Sequence, residues 1–248
     1  EAKGMRKFMG EIKISILKWE AGLVPMGLMQ LESLVGNSTN PDSYTFPVKF
    51  VPVPGACTET IIINPNQEVL KRMIEIGKEL EKEGIKAIAT SCGFNAIFQQ
   101  ELANALSIPV FSSALLQVPF VQNLVGNKNA VAVLTANKAS LTKAHMYACG
   151  ITDDMNVYVY GLEDAKEWSK IFDKPNEAFD MNIVEHEIIY TAAKAVSEHA
   201  DIKAIVLECT DLPPFAQKIR EITGLPVFDF NSMANYVSIG IGVTSLYK

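Results

Sequence analysis

Residues 85–111 and 202–228 are two copies of one segment, which limits the folds open to this chain. The first copy reads IKAIATSCGFNAIFQQELANALSIPVF and the second reads IKAIVLECTDLPPFAQKIREITGLPVF. A constant offset of 117 aligns them without a gap, with identity at 10 of 27 positions. The offset places Cys92 on Cys209. A repeat of this kind predicts two similar lobes, with one thiol at the same place in each.

Segments typical of strands and of helices alternate along the chain. The predicted strands cover 12–19, 46–53, 85–90, 109–111, 130–135, 156–160, 202–207 and 226–229. The predicted helices cover 66–82, 95–106, 138–149, 183–199, 213–222 and 232–246. This alternation is typical of an α/β fold, here two similar lobes with parallel sheets flanked by helices and related by a pseudo-twofold axis. Ligands of such sheets bind at the carboxyl ends of the strands, so we expect the active site between the lobes.

The repeat also sets the expected boundaries of the lobes. We place an N-terminal α/β lobe at 1–126 and a C-terminal α/β lobe at 127–230. A C-terminal helix at 231–248 is expected to pack back on the first lobe. Two segments, 26–44 and 161–180, are longer than ordinary loops. We interpret them as lids over the site or as insertions typical of a subfamily.

Composition excludes several classes of function. A net charge of −6 without a lysine-rich block gives no basic surface for nucleic acid, and no apolar stretch is long enough to span a membrane. The four cysteines form no Cys-x-x-Cys pair, and the three histidines have no metal-ligand spacing to them. We therefore expect a cytoplasmic protein that acts on a small molecule with no cofactor, no metal and no disulfide framework. Met5 is a candidate start of the native chain.

Cys92 and Cys209 each follow a predicted buried strand and precede a predicted helix. Backbone N–H groups at such a junction are unpaired and lie at the positive end of a helix dipole, which favours a thiolate and binds a carboxylate. We therefore expect the pKa of both thiols to be lowered. A small acid between the lobes would present opposite faces of its α-carbon to the two sulfur atoms. Removal of the α-proton by one thiolate and donation by the other thiol would racemise that carbon.

The sequences around the two cysteines, TSCGFN at 90–95 and LECTDL at 207–212, resemble the aspartate/glutamate/hydantoin racemase superfamily. The resemblance implies a cofactor-independent racemase or epimerase that inverts the carbon α to a carboxylate or carbonyl of a small acid, such as an amino acid or a hydantoin. It also implies a homodimer. Two positions depart from the family pattern: Gly93 stands where amino-acid racemases have asparagine, and Glu208 replaces a glycine common before the second cysteine.

The resemblance assigns roles to individual residues. Cys92 and Cys209 are the acid/base pair, while Glu20 assists the first cysteine and Asp211 the second. The substrate-binding candidates are Ser91, Gly93, Phe94, Asn95, Thr210 and Asn137, the last being the repeat partner of Glu20. A small-molecule carboxylate is the expected partner of these residues.

Two other classes of function fit the same residues. Decarboxylases of the arylmalonate type and cis–trans isomerases of the maleate type resemble this superfamily and also use cysteines at strand ends. A decarboxylase needs only one cysteine, which protonates an enediolate. A two-lobed binding protein for small acids, without turnover, would use the same α/β plan.

Overall fold

The structure, a computed structural model, describes residues 11–245. Met5 and residues 246–248 of the expected C-terminal helix lie outside the described residues. The strands are β1 (Ile14–Lys18), β2 (Val48–Pro52), β3 (Ala87–Thr90), β4 (Val110–Phe111), β5 (Ala130–Thr135), β6 (Val157–Gly161), β7 (Ile202–Leu207) and β8 (Val227–Phe228). Each predicted strand is present, and β5 and β7 have the predicted bounds.

The strands form two parallel sheets of the same topology, in the orders β2-β1-β3-β4 and β6-β5-β7-β8. The strand pairing repeats with the sequence offset, because Ile14 pairs with Ala87 and Val131 pairs with Ala204. The prediction of two similar lobes with parallel sheets is therefore confirmed. Prolines in and beside β2 predict an edge strand, since proline lacks the N–H that a ladder needs, and β2 is at the edge of its sheet.

The α-helices are α1 (Met26–Glu32), α2 (Gln67–Lys82), α3 (Gln99–Ala105), α4 (Val118–Val125), α5 (Lys143–Ala148), α6 (Lys170–Asp173), α7 (Met181–Glu198), α8 (Ala216–Thr223) and α9 (Phe230–Gly240). Short 3₁₀ or π turns lie at Pro41–Ser43, Thr58–Ile63, Gly93–Phe98, Ala114–Gln117 and Pro213–Phe215. The sequence does not predict α1, α4 or α6, because each is too short to show a clear periodic pattern. Within 11–245, no helix has the length and apolarity needed to cross a membrane.

Capping residues set the observed helix bounds. α2 begins after Asn66, whose side chain accepts two backbone N–H groups of the first turn. α5 is shorter than the predicted 138–149, because Thr142 caps its start. α9 begins directly after the Asp229 cap and ends at Gly240, so the prediction of a helix to 246 is too long.

Each sheet is followed by a helix that packs on the other lobe. α4 follows β4 of the first sheet but contacts β5 and β7 of the second. α9 follows β8 of the second sheet and packs through Phe230, Met233 and Ala234 against residues of β1, β3 and β4. The exchange is reciprocal, as a pseudo-twofold arrangement requires. α4 therefore lies within the expected N-terminal lobe, 1–126, in sequence, but it packs on the sheet of the C-terminal lobe.

The central strands of the two sheets end in the space between the lobes. After β3, the N–H of Ser91 donates to the carbonyl of Leu17 at 2.9 Å, and after β7 the N–H of Glu208 donates to that of Leu134 at 2.8 Å. The Thr210 hydroxyl donates to the carbonyl of Ser91 and so joins the two lobes at this point. The turn that follows each strand thus brings its cysteine into the same interlobe space.

Candidate active site

Two equivalent turns carry the cysteines. In each turn, the N–H three residues after the cysteine donates to the carbonyl of that cysteine at 3.1 Å. The N–H two residues after it lowers the pKa of the thiol, at Phe94 for Cys92 and at Asp211 for Cys209. The repeat therefore extends from the sequence to the hydrogen bonds around each thiol.

Both thiols face one cavity between the lobes. Cys92 is 8% exposed and Cys209 is 7% exposed, and both line the cavity. The cavity volume is about 30 Å³, room for about two water molecules. The structure therefore describes a closed site, which must widen to admit a substrate of several heavy atoms.

The predicted site residues divide into two groups. Those that line the cavity are Ser91, Cys92, Gly93, Phe94, Cys209, Thr210 and Asp211. Outside the lining, the Glu20 carboxylate accepts the N–H of Gly55 at 2.6 Å, and the Asn137 side chain accepts the N–H of Ser140 at 3.0 Å. Asn95 is buried with its side-chain oxygen unpartnered. Glu20 and Asn137 thus each hold a backbone turn, and neither lines the cavity.

The acidity of the thiols differs from the prediction. Burial raises the pKa of Cys92 and of Cys209 well above the usual thiol range, and the carboxylates of Glu208 and Asp211 raise it further. The backbone N–H at each sulfur lowers the pKa, but by less. The prediction of two acidic thiols is therefore wrong, because burial outweighs the N–H groups at the strand ends and Glu208 and Asp211, next to Cys209 in sequence, also lie close to Cys92 in the fold. Both cysteines rest as neutral thiols.

Glu208 explains the departure from the family pattern at position 93. Its side chain is fully buried, accepts a hydrogen bond from Thr135 at 2.7 Å and leaves Oε1 unpartnered. Burial raises its pKa to about 7. A Cβ at Gly93 would lie 2.2 Å from Oε1 and 2.3 Å from the carbonyl oxygen of Glu208. A side chain at position 93, asparagine included, would therefore require the backbone at Glu208 to move away.

Asp211 is the carboxylate in contact with a thiol. The Cys209 thiol donates to its Oδ2 at 3.7 Å, and the Asn37 amide donates to its Oδ1 at 2.6 Å. Burial raises the pKa of Asp211 to about 7, and the nearby charge of Glu32 adds to the rise. An ionised Asp211 can therefore take the proton of Cys209, whereas Cys92 has no carboxylate as a hydrogen-bond partner among the described residues.

The two long segments meet over the cavity. The side chain of Gln30 in α1 exchanges two hydrogen bonds with the backbone of Phe179, and the N–H of Met26 donates to the carbonyl of Pro175 at 2.8 Å. The segments bring Leu28, Glu32, Thr39, Trp168 and Ile171 to the lining. Sequence analysis missed these residues individually, and the length of the two segments was the available signal.

The cavity lining is acidic and aromatic. Within the described part of the chain, it contains the carboxylates of Glu32 and Asp211 and no lysine or arginine. Its aromatic side chains are Trp19, Phe94 and Trp168. The indole N–H of Trp19 interacts with Cys92, yet it is buried without a partner that meets hydrogen-bond geometry. Such a lining suits a ligand that carries both a positive charge and a hydrogen-bond acceptor.

The remaining cysteines lie outside the lining. Cys57 is half-buried beside the Thr60 hydroxyl at the start of the π turn. Cys149 is buried, and burial raises its pKa to about 12. Neither thiol lines the cavity. Residues 11–245 contain no group of three His, Cys, Asp or Glu side chains arranged to hold a metal ion.

Comparison with known proteins places this architecture in a family. The family described as Asp/Glu/Hydantoin racemase matches residues 52–234. The allantoin racemase of Pseudomonas fluorescens has the same fold, with a TM-score of 0.61 and 17% sequence identity over 95% of this chain and 93% of that one. The chain belongs to the Asp/Glu/hydantoin racemase family, which confirms the family expected from the two cysteine motifs.

Relatives with higher sequence identity have a different name. A dimethylsulfoniopropionate lyase of Durusdinium sp. clade D is 34% identical over 217 residues, covering 82% of this chain and 70% of that protein. Dimethylsulfoniopropionate lyase 3 of Emiliania huxleyi (strain CCMP1516) is 30% identical over 210 residues, covering 81% of this chain. The chain spans 54% of the length of that second relative. The reaction named for both relatives is a lyase reaction, which differs from racemisation.

Proposed function

We propose that this protein is a lyase that cleaves dimethylsulfoniopropionate, or a related onium carboxylate, by eliminating a neutral sulfide. The observation that carries the proposal is a cavity with two thiols and two carboxylates and, among the described residues, no basic side chain. A dicarboxylate such as aspartate would bring further negative charge into this lining. The names of the relatives support the same substrate.

A cationic substrate also explains how a neutral thiol could become the thiolate base that the reaction needs. Nearby negative charges and burial oppose formation of a thiolate at Cys209. A sulfonium group in the cavity adds a positive charge, which favours the ionised forms of Cys209 and Asp211. Binding of the substrate would thus create the base that the reaction needs.

The proposed elimination uses Cys209 and Asp211. Asp211 takes the thiol proton, and the Cys209 thiolate removes a proton from the carbon next to the substrate carboxylate. The electron pair of that C–H bond forms the carbon–carbon double bond. The carbon–sulfur bond breaks, and its electron pair leaves with sulfur as dimethyl sulfide. Acrylate remains, the α-proton stays on Cys209, and Asp211 releases its proton to water.

The first test is product formation. We expect the purified chain to convert dimethylsulfoniopropionate to dimethyl sulfide and acrylate in a 1:1 ratio, measured by gas chromatography and proton NMR. The control is the same protein with both cavity thiols replaced, Cys92→Ser/Cys209→Ser. Release by the wild type at the rate of this control would contradict the proposed function.

The rate is expected to depend on pH through Asp211. Burial raises the pKa of this carboxyl to about 7, and only its ionised form accepts the Cys209 proton. The value of kcat/KM should therefore rise about tenfold per pH unit below about pH 7 and level off above it. Asp211→Asn should lose this rise together with most of the activity. Glu208→Gln should keep the rise of kcat/KM with pH, although the pKa of Glu208 is also raised to about 7. Loss of this rise in Glu208→Gln would contradict the prediction, because it would show that the titrating group is Glu208 and not Asp211.

Inversion of an α-carbon is the second candidate function. The matched turns that direct two thiols into one cavity favour it, because racemisation uses one base on each face of the carbon. A racemase would exchange the α-proton of an amino acid, hydroxy acid or hydantoin in D₂O without releasing a second product. The NMR assay that detects acrylate also detects this exchange, so one experiment separates the two functions.

A further inference from the structure

We infer that Glu32, on the lid helix α1, is the specificity-determining residue that selects a positively charged substrate group, and that the indole N–H of Trp19 receives the substrate carboxylate. The inference deepens the proposed function and rests on it for the substrate class. It divides the cavity into a donor side next to Cys92 and an acidic side next to Cys209.

Glu32 is the carboxylate with bonding capacity left for a ligand. Asp211 is occupied on both oxygens, by the Asn37 amide and by the Cys209 thiol. Glu32 is half-buried at the end of α1, and the Thr39 hydroxyl near it donates to the Asn37 side chain at 2.9 Å. Lys18 interacts with Glu32 through its charge but does not line the cavity. A cation in the cavity would therefore meet Glu32 without displacing an internal hydrogen bond.

Trp19 supplies an independent indication of a ligand. The side chain is 7% exposed and lines the cavity, and its indole N–H, which interacts with Cys92, has no partner of hydrogen-bond geometry among the described residues. A buried donor without a partner is unfavourable by about 1–3 kcal/mol. A carboxylate beside Cys92 would satisfy this donor, and it would hold the neighbouring α-carbon between the two thiols. The aromatic faces of Trp19 and Trp168 add a favourable surface for an onium methyl group.

The position of Glu32 couples recognition to closure of the site. α1 is held to the second-lobe segment by the paired hydrogen bonds between Gln30 and Phe179. A cation that contacts Glu32 therefore stabilises the lid in its closed position above the thiols. Substrates without the positive charge would lose this contribution as well as the direct attraction.

Two ligands of the same shape test the role of charge. 3-(Trimethylammonio)propionate and 4,4-dimethylpentanoate differ only in having N⁺ or C at the branched centre, and neither is expected to undergo the elimination. Calorimetry on the wild-type protein should show binding of the cation at least about tenfold tighter, equivalent to about 1.4 kcal/mol. Glu32→Gln should lower this preference about tenfold, and Glu32→Asp, which keeps the charge, should retain part of it. Glu75→Gln, an exposed glutamate of α2, is the matched control and should leave the preference unchanged.

The outcomes separate this inference from the lyase assignment. Equal affinity of the wild type for the two ligands, no measurable binding of the cation, or a preference that Glu32→Gln leaves unchanged would each overturn the inference, even if dimethyl sulfide is released. A preference for the cation that depends on Glu32 would support it, even if dimethylsulfoniopropionate is not cleaved. Circular dichroism and thermal unfolding of each variant establish that the lost preference does not come from a loss of fold.

Discussion

Cys209→Ser is expected to lower the rate of dimethyl sulfide release by about 10³-fold, within the range for loss of a positioned general base. The thiol of Cys209 is hydrogen-bonded to Asp211, whereas Cys92 has no carboxylate acceptor among the described residues. A serine hydroxyl keeps the hydrogen bond but is far less acidic than a thiol. The loss should appear in kcat, measured by gas chromatography under saturating substrate, with a smaller change in KM.

Cys92→Ser is expected to lower the same rate by only about tenfold. Elimination needs one base and a neutral leaving group, so the thiol on the opposite face of the substrate carries no obligatory proton. Cys57→Ser is the control, because Cys57 lies outside the cavity beside Thr60 and serine can keep that contact. Equal losses of about 10³-fold from the two cavity variants would contradict a one-base elimination and favour two-base chemistry on an α-carbon.

The sequence predicts the strands and their pairing in this molecule well, because both depend on local patterns of residues. The offset between the two copies reappears in the pairing of Ile14 with Ala87 and of Val131 with Ala204. Continuous apolar runs define β5 and β7 to the residue, since parallel strands are buried on both faces. The two cysteines follow from the same logic, because the carboxyl ends of the strands carry the ligand site.

The chemistry of the site was harder to predict because it depends on contacts between lobes. The raised thiol pKa arises from burial and from Glu208 and Asp211, which only the folded site brings to both sulfur atoms. Glu20 has the right place after β1, but the N–H of Gly55 occupies its carboxylate. The residues that give the cavity its acidic and aromatic lining come largely from segments without periodicity. Their contribution could be predicted only as that of two unusually long loops.

Gly93→Ala is expected to have the largest effect on stability, about 3 kcal/mol of the free energy of unfolding. The added Cβ would lie 2.2 Å from Oε1 of Glu208 and 2.3 Å from its carbonyl oxygen. The side-chain oxygen could move aside, but the carbonyl belongs to the backbone after β7, so the cysteine turns of the two lobes must separate. Such a shift displaces Cys92, and activity should fall by about 100-fold in the fraction that remains folded.

Gly240→Ala is the matched control for this prediction. Gly240 ends α9, and a Cβ there would meet no atom within 4 Å; the substitution should therefore be neutral or slightly stabilising. Urea unfolding of the two variants and the wild type measures the difference. Adding Glu208→Gly to Gly93→Ala removes the clash with Oε1 but not that with the carbonyl, so the double variant should recover only part of the lost stability. Full recovery would show that the side chain of Glu208 alone requires glycine at position 93, whereas a Gly93→Ala midpoint equal to that of Gly240→Ala would contradict the close approach itself.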